Sequence, residues 1–279
     1  MSERPRGGSE RDLLSELDAG VLRLTINRPD AANAITPDVR NGIIDQLAEA
    51  SAALDVRAVV ITAAGDRHFC TGADLRADRA APADRPEGAP ERAAGEAAAM
   101  IEGGIQRLCA AIQDCTKPVI VALNGTAAGG GAMIVLAADL VIAAERARII
   151  QVFVRRGLVP DGGVAYMLPR LIGMHKAKEL IFLGDDLGAK DAAALGIVNR
   201  VVPDGELRSA TDEWAVRLAS GPTKAIGWSK RMLNAALDVD RSTFFADEAL
   251  LVELNTQTAD SAEGVASFVE RRPPEFKGW

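Results

Sequence analysis

The chain has 279 residues, 48% of them hydrophobic, and its 39 acidic against 32 basic side chains leave a formal net charge of -7. That acidic balance argues against a nucleic-acid or anionic-membrane surface, which needs clustered Lys and Arg. Charge punctuates every apolar run short of the ~20 residues a membrane helix requires, and the opening MSERPRGGSERD lacks an apolar signal core, so a cytoplasmic protein with neither nucleic-acid nor membrane partners is expected.

Residues 1–18 read as a flexible N-terminal tail. In VLRLTIN, 21–27, Leu22, Leu24 and Ile26 alternate with the period of a strand. RPDAANA breaks the pattern. Thr36 and Pro37 then offer an N-cap and a first-turn proline, and Val39, Ile43, Leu47 and Leu54 follow at helical spacing. AVVITAA (58–64), PVIVALNG (118–125) and DLVIAA (139–144) are short, continuous apolar runs of the kind that form buried strands. The segment 76–100, rich in Ala, Pro and charge, reads as a mobile loop entering a helix near 94–114. From about residue 204 the pattern is nearly continuous helix. Strands alternating with helices predict an α/β fold with largely parallel pairing. The expected division is the tail, a core over 19–203, and a helical C-terminal subdomain over 204–279 that packs on the core or on another subunit.

Cys70, Cys109 and Cys115 form no CxxC pair, and His68 and His175 lie far apart, so no metal site is expected. Cys70 reads as a small buried thiol without a nearby base. His68 reads as a solvated loop residue.

Two small-residue loops follow apolar runs. In FCTGAD, 69–74, Gly72 can adopt a positive φ that turns the N–H of Ala73 outward. In NGTAAGGGA, 124–132, a glycine triplet opens an apolar helix, which leaves the N–H of Gly130 at a helix N-terminus that favours negative charge. Two N–H groups converging on one oxygen is the arrangement these loops suggest. The triplet lacks the spacing of a dinucleotide fingerprint.

The order LTINRPDAANAIT, FCTGADL, KPVIVALNGTAAGGGAMIVLAADLVIA, RGLVPDGGVAYMLPRLIG and FVERRPPEFKG resembles the crotonase, or enoyl-CoA hydratase/isomerase, superfamily over residues 19–277. The resemblance implies a spiral of β-β-α turns with a C-terminal helical trimerisation subdomain, assembled as a trimer or a dimer of trimers. It also implies an acyl-CoA thioester substrate, no cofactor beyond the coenzyme A of that substrate, and an oxyanion hole formed by the N–H groups of Ala73 and Gly130. Coenzyme A would lie along Ala31, Ala32 and Ala34 and along Ala73, Asp74 and Leu75, and Lys277 would either reach the phosphates of a neighbouring subunit's ligand or be a solvated tail charge. Asp74 and Asp139 are expected to fix loops.

The sequence departs from the hydratases of that family at the two positions where they carry glutamates, here Met133 and Phe153, both part of the acyl pocket by the same analogy. Neither side chain can move a proton, whereas hydration of an alkene needs both a base and an acid. Asp161, in GLVPDGG, is a carboxylate in the right region, matching the catalytic aspartate of certain isomerases and dehalogenases of the superfamily. An apolar surround would raise its pKa and favour it as a proton shuttle for enoyl-CoA isomerisation. The alternatives are a hydratase with a non-standard acid and base, a dehalogenase-like nucleophile, a non-catalytic acyl-CoA binder, and an Asp161 that merely caps the following turn.

Overall fold

The computed structural model describes residues 12–74, 86, 88–90 and 93–279. Its first part runs β1 (Leu13–Asp18), β2 (Val21–Ile26), α1 (Pro37–Ala52), β3 (Ala58–Ala63), β4 (His68–Cys70), α2 (Glu96–Ile101) and α3 (Arg107–Asp114). The central part is β5 (Val119–Leu123), β6 (Thr126–Ala128), α4 (Gly130–Ala137), β7 (Leu140–Ala144), β8 (Arg148–Ile150), α5 (Val164–Ile172) and α6 (Met174–Leu183). Then follow β9 (Asp186–Gly188), α7 (Ala189–Ala194), β10 (Arg200–Val202), α8 (Leu207–Ala219), α9 (Thr223–Ala235), α10 (Arg241–Thr256) and α11 (Ala259–Glu270).

The four apolar runs become neighbours in a six-stranded sheet of order β1-β2-β3-β5-β7-β10, parallel except for the β1–β2 pair. After β3, β5 and β7 the chain crosses to a second sheet, β4-β6-β8-β9, before a helix returns it. That repeated strand-strand-helix step is a spiral of β-β-α turns. The strands of the second sheet have three residues each, too few to show a periodicity in the sequence. The inner strands of the first sheet are buried on both faces: Leu24, Ile26, Val59, Ile61 and Val121 face α1, α3 and α4, while Val60, Ile120 and Ile142 face α8. Two-sided burial explains why these strands read as continuous apolar runs.

Several expectations about the elements are corrected. Residues 13–18, placed in the flexible tail, are strand β1, whose residues pair with β2 in register from Leu13↔Ile26 to Asp18↔Val21. Helix α1 starts as expected, with Thr36 Oγ1 accepting the Val39 N–H and Pro37 at its first position, but it ends at Ala52, so Leu54 is exposed. Helix α8, in the expected C-terminal subdomain, covers one face of the main sheet. His68 sits half-buried in β4, with Nδ1 enclosed and unpaired, rather than in a solvated loop. All three cysteines are free and buried, and enclosure pushes the Cys70 thiol up to about 12.

The later helices are tied to the core by Lys230 of α9. Its ammonium donates to the carbonyls of Ile112 (2.7 Å) and Lys117 (3.3 Å) and pairs with Asp139 (2.8 Å). Asp139 in turn accepts the Val119 N–H at 2.7 Å, so it fixes the entry to β5. Among the described residues no helix is long and apolar enough to cross a membrane.

Candidate active site

Both small-residue loops end strands of the second sheet, and the spiral brings them together. Helix α4 runs so close to β4 that a Cβ on Gly131 would lie 2.1 Å from the Cys70 carbonyl oxygen, which is why the third glycine of the triplet tolerates no side chain. The same approach sets Gly72, at φ +100°, beside the start of α4: a Cβ there would lie 3.4 Å from the Gly130 nitrogen.

The direction of the Ala73 N–H follows from its pairing. Ala73 forms an isolated parallel bridge with Ile35, in which Ile35 N–H donates to Gly72 O (2.8 Å) and Asp74 N–H donates to Ile35 O (3.0 Å). Bonds from residues 72 and 74 leave the N–H of Ala73 pointing away from Ile35. Gly130 is the first residue of α4, so its N–H has no intrahelical acceptor. Two orphan donors therefore stand on adjoining backbone segments, one of them at the positive end of a fully buried helix.

The stretch carrying Ala31, Ala32 and Ala34 is held against the first loop by residues that composition and spacing gave no reason to single out. The Arg28 guanidinium donates to Ala34 O (2.6 Å) and pairs with Asp74 (2.9 Å) and Asp12 (3.1 Å). Asn33 is buried, receives the Arg28 N–H on Oδ1 (2.9 Å), and donates from Nδ2 to Ala64 O (2.9 Å) and His68 O (2.7 Å). Thr71 Oγ1 closes the arrangement on Ala32 O at 3.2 Å. Asp74 is thus committed to loop fixation. The signal was an Arg and an Asn within NRPDAANA, flanking small residues that make no side-chain demand.

Met133 and Phe153 are buried in one apolar cluster with Val164 and Met167 of α5, and Ile105 packs against it. A Cβ on Gly162 would collide with Met133 Sδ at 2.1 Å and would approach Ile105 Cγ1 at 3.1 Å. Asp161, one residue earlier, is therefore carried into this apolar surround. Burial raises its carboxyl above the ordinary carboxylate range, opposed by its own backbone N–H. Asp161 also adds to the upward shift of the Cys109 thiol, which burial chiefly drives to about 12, so the two groups are neighbours.

The Asp161 carboxylate meets its own backbone N–H and does not cap helix α5. Helix α5 has Gly163 at its N-cap with no side-chain bond, and it is the backbone oxygen of Asp161 that accepts the Val164 N–H, at 3.2 Å.

The family model described as enoyl-CoA hydratase/isomerase matches residues 16–279. The chain belongs to the enoyl-CoA hydratase/isomerase family. It is 37% identical over 263 residues, 94% of this chain and 96% of the relative, to a protein of Rhodobacter capsulatus described as a probable enoyl-CoA hydratase. It is 34% identical over 266 residues, 95% of this chain and 98% of the relative, to the 1,2-epoxyphenylacetyl-CoA isomerase of Escherichia coli K12. The crystal structure of an enoyl-CoA hydratase from Bacillus anthracis superposes with a TM-score of 0.85 at 31% identity, covering 96% of this chain and all (100%) of that one. The fold is accordingly the crotonase spiral.

Lys277 stands apart within the chain. Its backbone N–H donates to Asp260 at 2.6 Å, and it lines a cleft with Gly20, Leu54 and Arg57 at the start of β3. The loops of Ala34 and Ala73 lie beyond the other end of that strand, where Asn33 bonds Ala64 and His68. Six residues of strand separate the two ends by about 20 Å. Leu75, and residues 76–85, 87, 91 and 92 of the expected mobile loop, lie outside the described residues.

Proposed function

We propose that this family member is an enoyl-CoA isomerase that moves a β,γ double bond into conjugation with a thioester carbonyl, using Asp161 as the proton shuttle. The observation that carries the reading is the pairing of two orphan backbone donors with, among the described residues, a single half-buried carboxylate beside the apolar pocket, while Met133 and Phe153 offer no proton. The thioester oxygen takes the N–H groups of Ala73 and Gly130. Asp161 removes a proton from the α-carbon; the electron pair delocalises into a dienolate whose oxygen the two donors hold. The protonated Asp161 then delivers the same proton to the γ-carbon. Donors placed in advance where charge develops contribute roughly 3 to 4 kcal/mol each where measured.

Isomerisation balances with one acid/base group, which suits the lone carboxylate that the described residues place beside the apolar pocket, and it needs no cofactor beyond the substrate's coenzyme A. The isomerase named among the relatives acts on an acyl-CoA and supports the same class of chemistry; the relatives named as hydratases support only the shared thioester site. The exposed apolar side chains of Leu233, Leu237 and Phe268 on α9 and α11 and in the turn after α9, 70–84% exposed, support assembly as a trimer or a dimer of trimers.

The deciding experiment incubates the protein with a 3-enoyl-CoA in deuterium oxide while conjugation is followed by ultraviolet absorbance. Turnover to the 2-enoyl product with deuterium incorporation is expected. Binding without conversion or α-proton exchange would reduce the protein to an acyl-CoA binder.

A further inference from the structure

Helices α2 and α3 are not continuous: a π-helical turn over Glu102–Gln106 joins them, and within it Gly104 leaves helical geometry at φ -101°, ψ -108°. Such turns insert a residue and redirect the side chains beside it, frequently at functional sites. This one is seated on α1, where Arg40 Nη1 would lie 3.1 Å from a Cβ on Gly104. Ile105 follows Gly104 within this turn.

Ile105 touches both halves of the site. Its Cδ1 lies 3.5 Å from where a Cβ on Gly130 would be, and its Cγ1 lies 3.1 Å from the equivalent point on Gly162, next to Asp161. Leu108 and Cys109, further along α3, are buried, whereas Ile105 is only partly so. A β-branched side chain is stiff at χ1 and makes a fixed wall.

We propose that Ile105 is the specificity-determining residue of the site, limiting the girth of the acyl group between the thioester carbonyl and Asp161. The inference rests on the acyl-thioester reading above. An acyl chain with its oxygen at Gly130 and its α- and γ-carbons at Asp161 runs alongside Ile105, so a slender chain passes and a ring or branch near the carbonyl meets the side chain.

The test measures affinities rather than turnover, using the assembled full-length protein, calorimetry, and butyryl-CoA, phenylacetyl-CoA and free coenzyme A as probes. Ile105→Ala is expected to raise the affinity for phenylacetyl-CoA relative to butyryl-CoA at least about tenfold, in the range one or more methylenes contribute in an apolar pocket. Ile105→Val should shift it less in the same direction, with coenzyme A affinity unchanged; it carries the test if the alanine variant does not fold. A ratio constant within about twofold, or one moving toward butyryl-CoA, in a variant with wild-type melting and assembly would overturn the role of Ile105 and leave the proposed function standing. If the wild-type protein binds neither thioester, the acyl-thioester reading itself falls, and this inference with it.

Discussion

Met133 and Gly162 occupy each other's space: a Cβ on Gly162 would lie 2.1 Å from Met133 Sδ, at a residue whose φ is +58°. The methionine therefore fills the volume beside Asp161 and fixes the backbone that presents it. Gly162→Ala adds both a left-handed penalty and a steric collision, for a cost of about 1 to 3 kcal/mol. Combining it with Met133→Ala should cost less than the sum of the two single changes, by at least about 0.5 kcal/mol, because the collision disappears. Denaturant unfolding of the four proteins reads the coupling directly, and strict additivity would mean that the two residues do not touch.

Hydration of crotonyl-CoA is expected to be absent or very slow on the proposed reading, in which Met133 and Phe153 stand where the family's hydratases carry glutamates; both are buried among aliphatic side chains and neither can move a proton. The assay is loss of enoyl absorbance at substrate concentrations that saturate binding. Robust turnover would show that another group takes the proton from water and protonates the α-carbon. Introducing glutamate at both positions would bury two carboxylates together, and a large fall in melting temperature should accompany any activity gained.

Much of the main sheet was legible because its inner strands are buried on both faces and read as aliphatic runs, and α1 because Thr36 and Pro37 announce its start. The three-residue strands of the second sheet were not legible, since their order is set by the spiral rather than by local pattern. The two donor loops could be found from glycine placement, because Gly131 and Gly72 are required by close backbone approach. Arg28, Asn33 and Ile105 were missed for a common reason. Arg28 pairs with Asp12 and Asp74, Asn33 bonds the backbone of Ala64 and His68, and Ile105 stands against Gly130 and Gly162; each of these contacts joins segments distant in sequence and leaves no mark on the local pattern.

Asp161→Asn should leave folding and acyl-CoA affinity intact while lowering isomerisation by about 10² to 10⁴. In the wild-type protein the rate should rise with pH as Asp161 loses its proton, with its inflection above the ordinary carboxylate range because burial raises that pKa. Stability runs the opposite way. A raised folded-state pKa means that the folded protein binds the proton more tightly than the unfolded chain, so the stabilisation is full below the unfolded pKa and is lost as pH rises through the folded one. The asparagine variant carries no such charge, so it should gain melting temperature relative to wild type at pH 7 and lose that advantage near pH 3. An unchanged rate in a folded variant would remove Asp161 from the mechanism.

The C-terminal end offers a separable test of how Lys277 is used. Asp260, 3% exposed at the start of α11, accepts the N–H groups of Lys277 (2.6 Å) and Gly278 (2.8 Å), while Arg57 donates to Phe276 O at 3.2 Å from both terminal nitrogens. The backbone is held and the Lys277 side chain is exposed, at the end of the sheet away from its own chain's donor loops. In the proposed assembly, Lys277 would meet the coenzyme A phosphates of a neighbouring subunit's ligand. Exposed charge pairs contribute about 1 kcal/mol at most, so Lys277→Ala should weaken coenzyme A thioesters about fivefold, less at high salt, and leave the matching pantetheine thioester unaffected. Asp260→Ala orphans two N–H groups at a cost of about 1 to 3 kcal/mol and should give the same loss by releasing the segment, together with faster proteolysis after residue 270. Equal losses for both thioesters in Lys277→Ala would place the effect on assembly rather than on the phosphates.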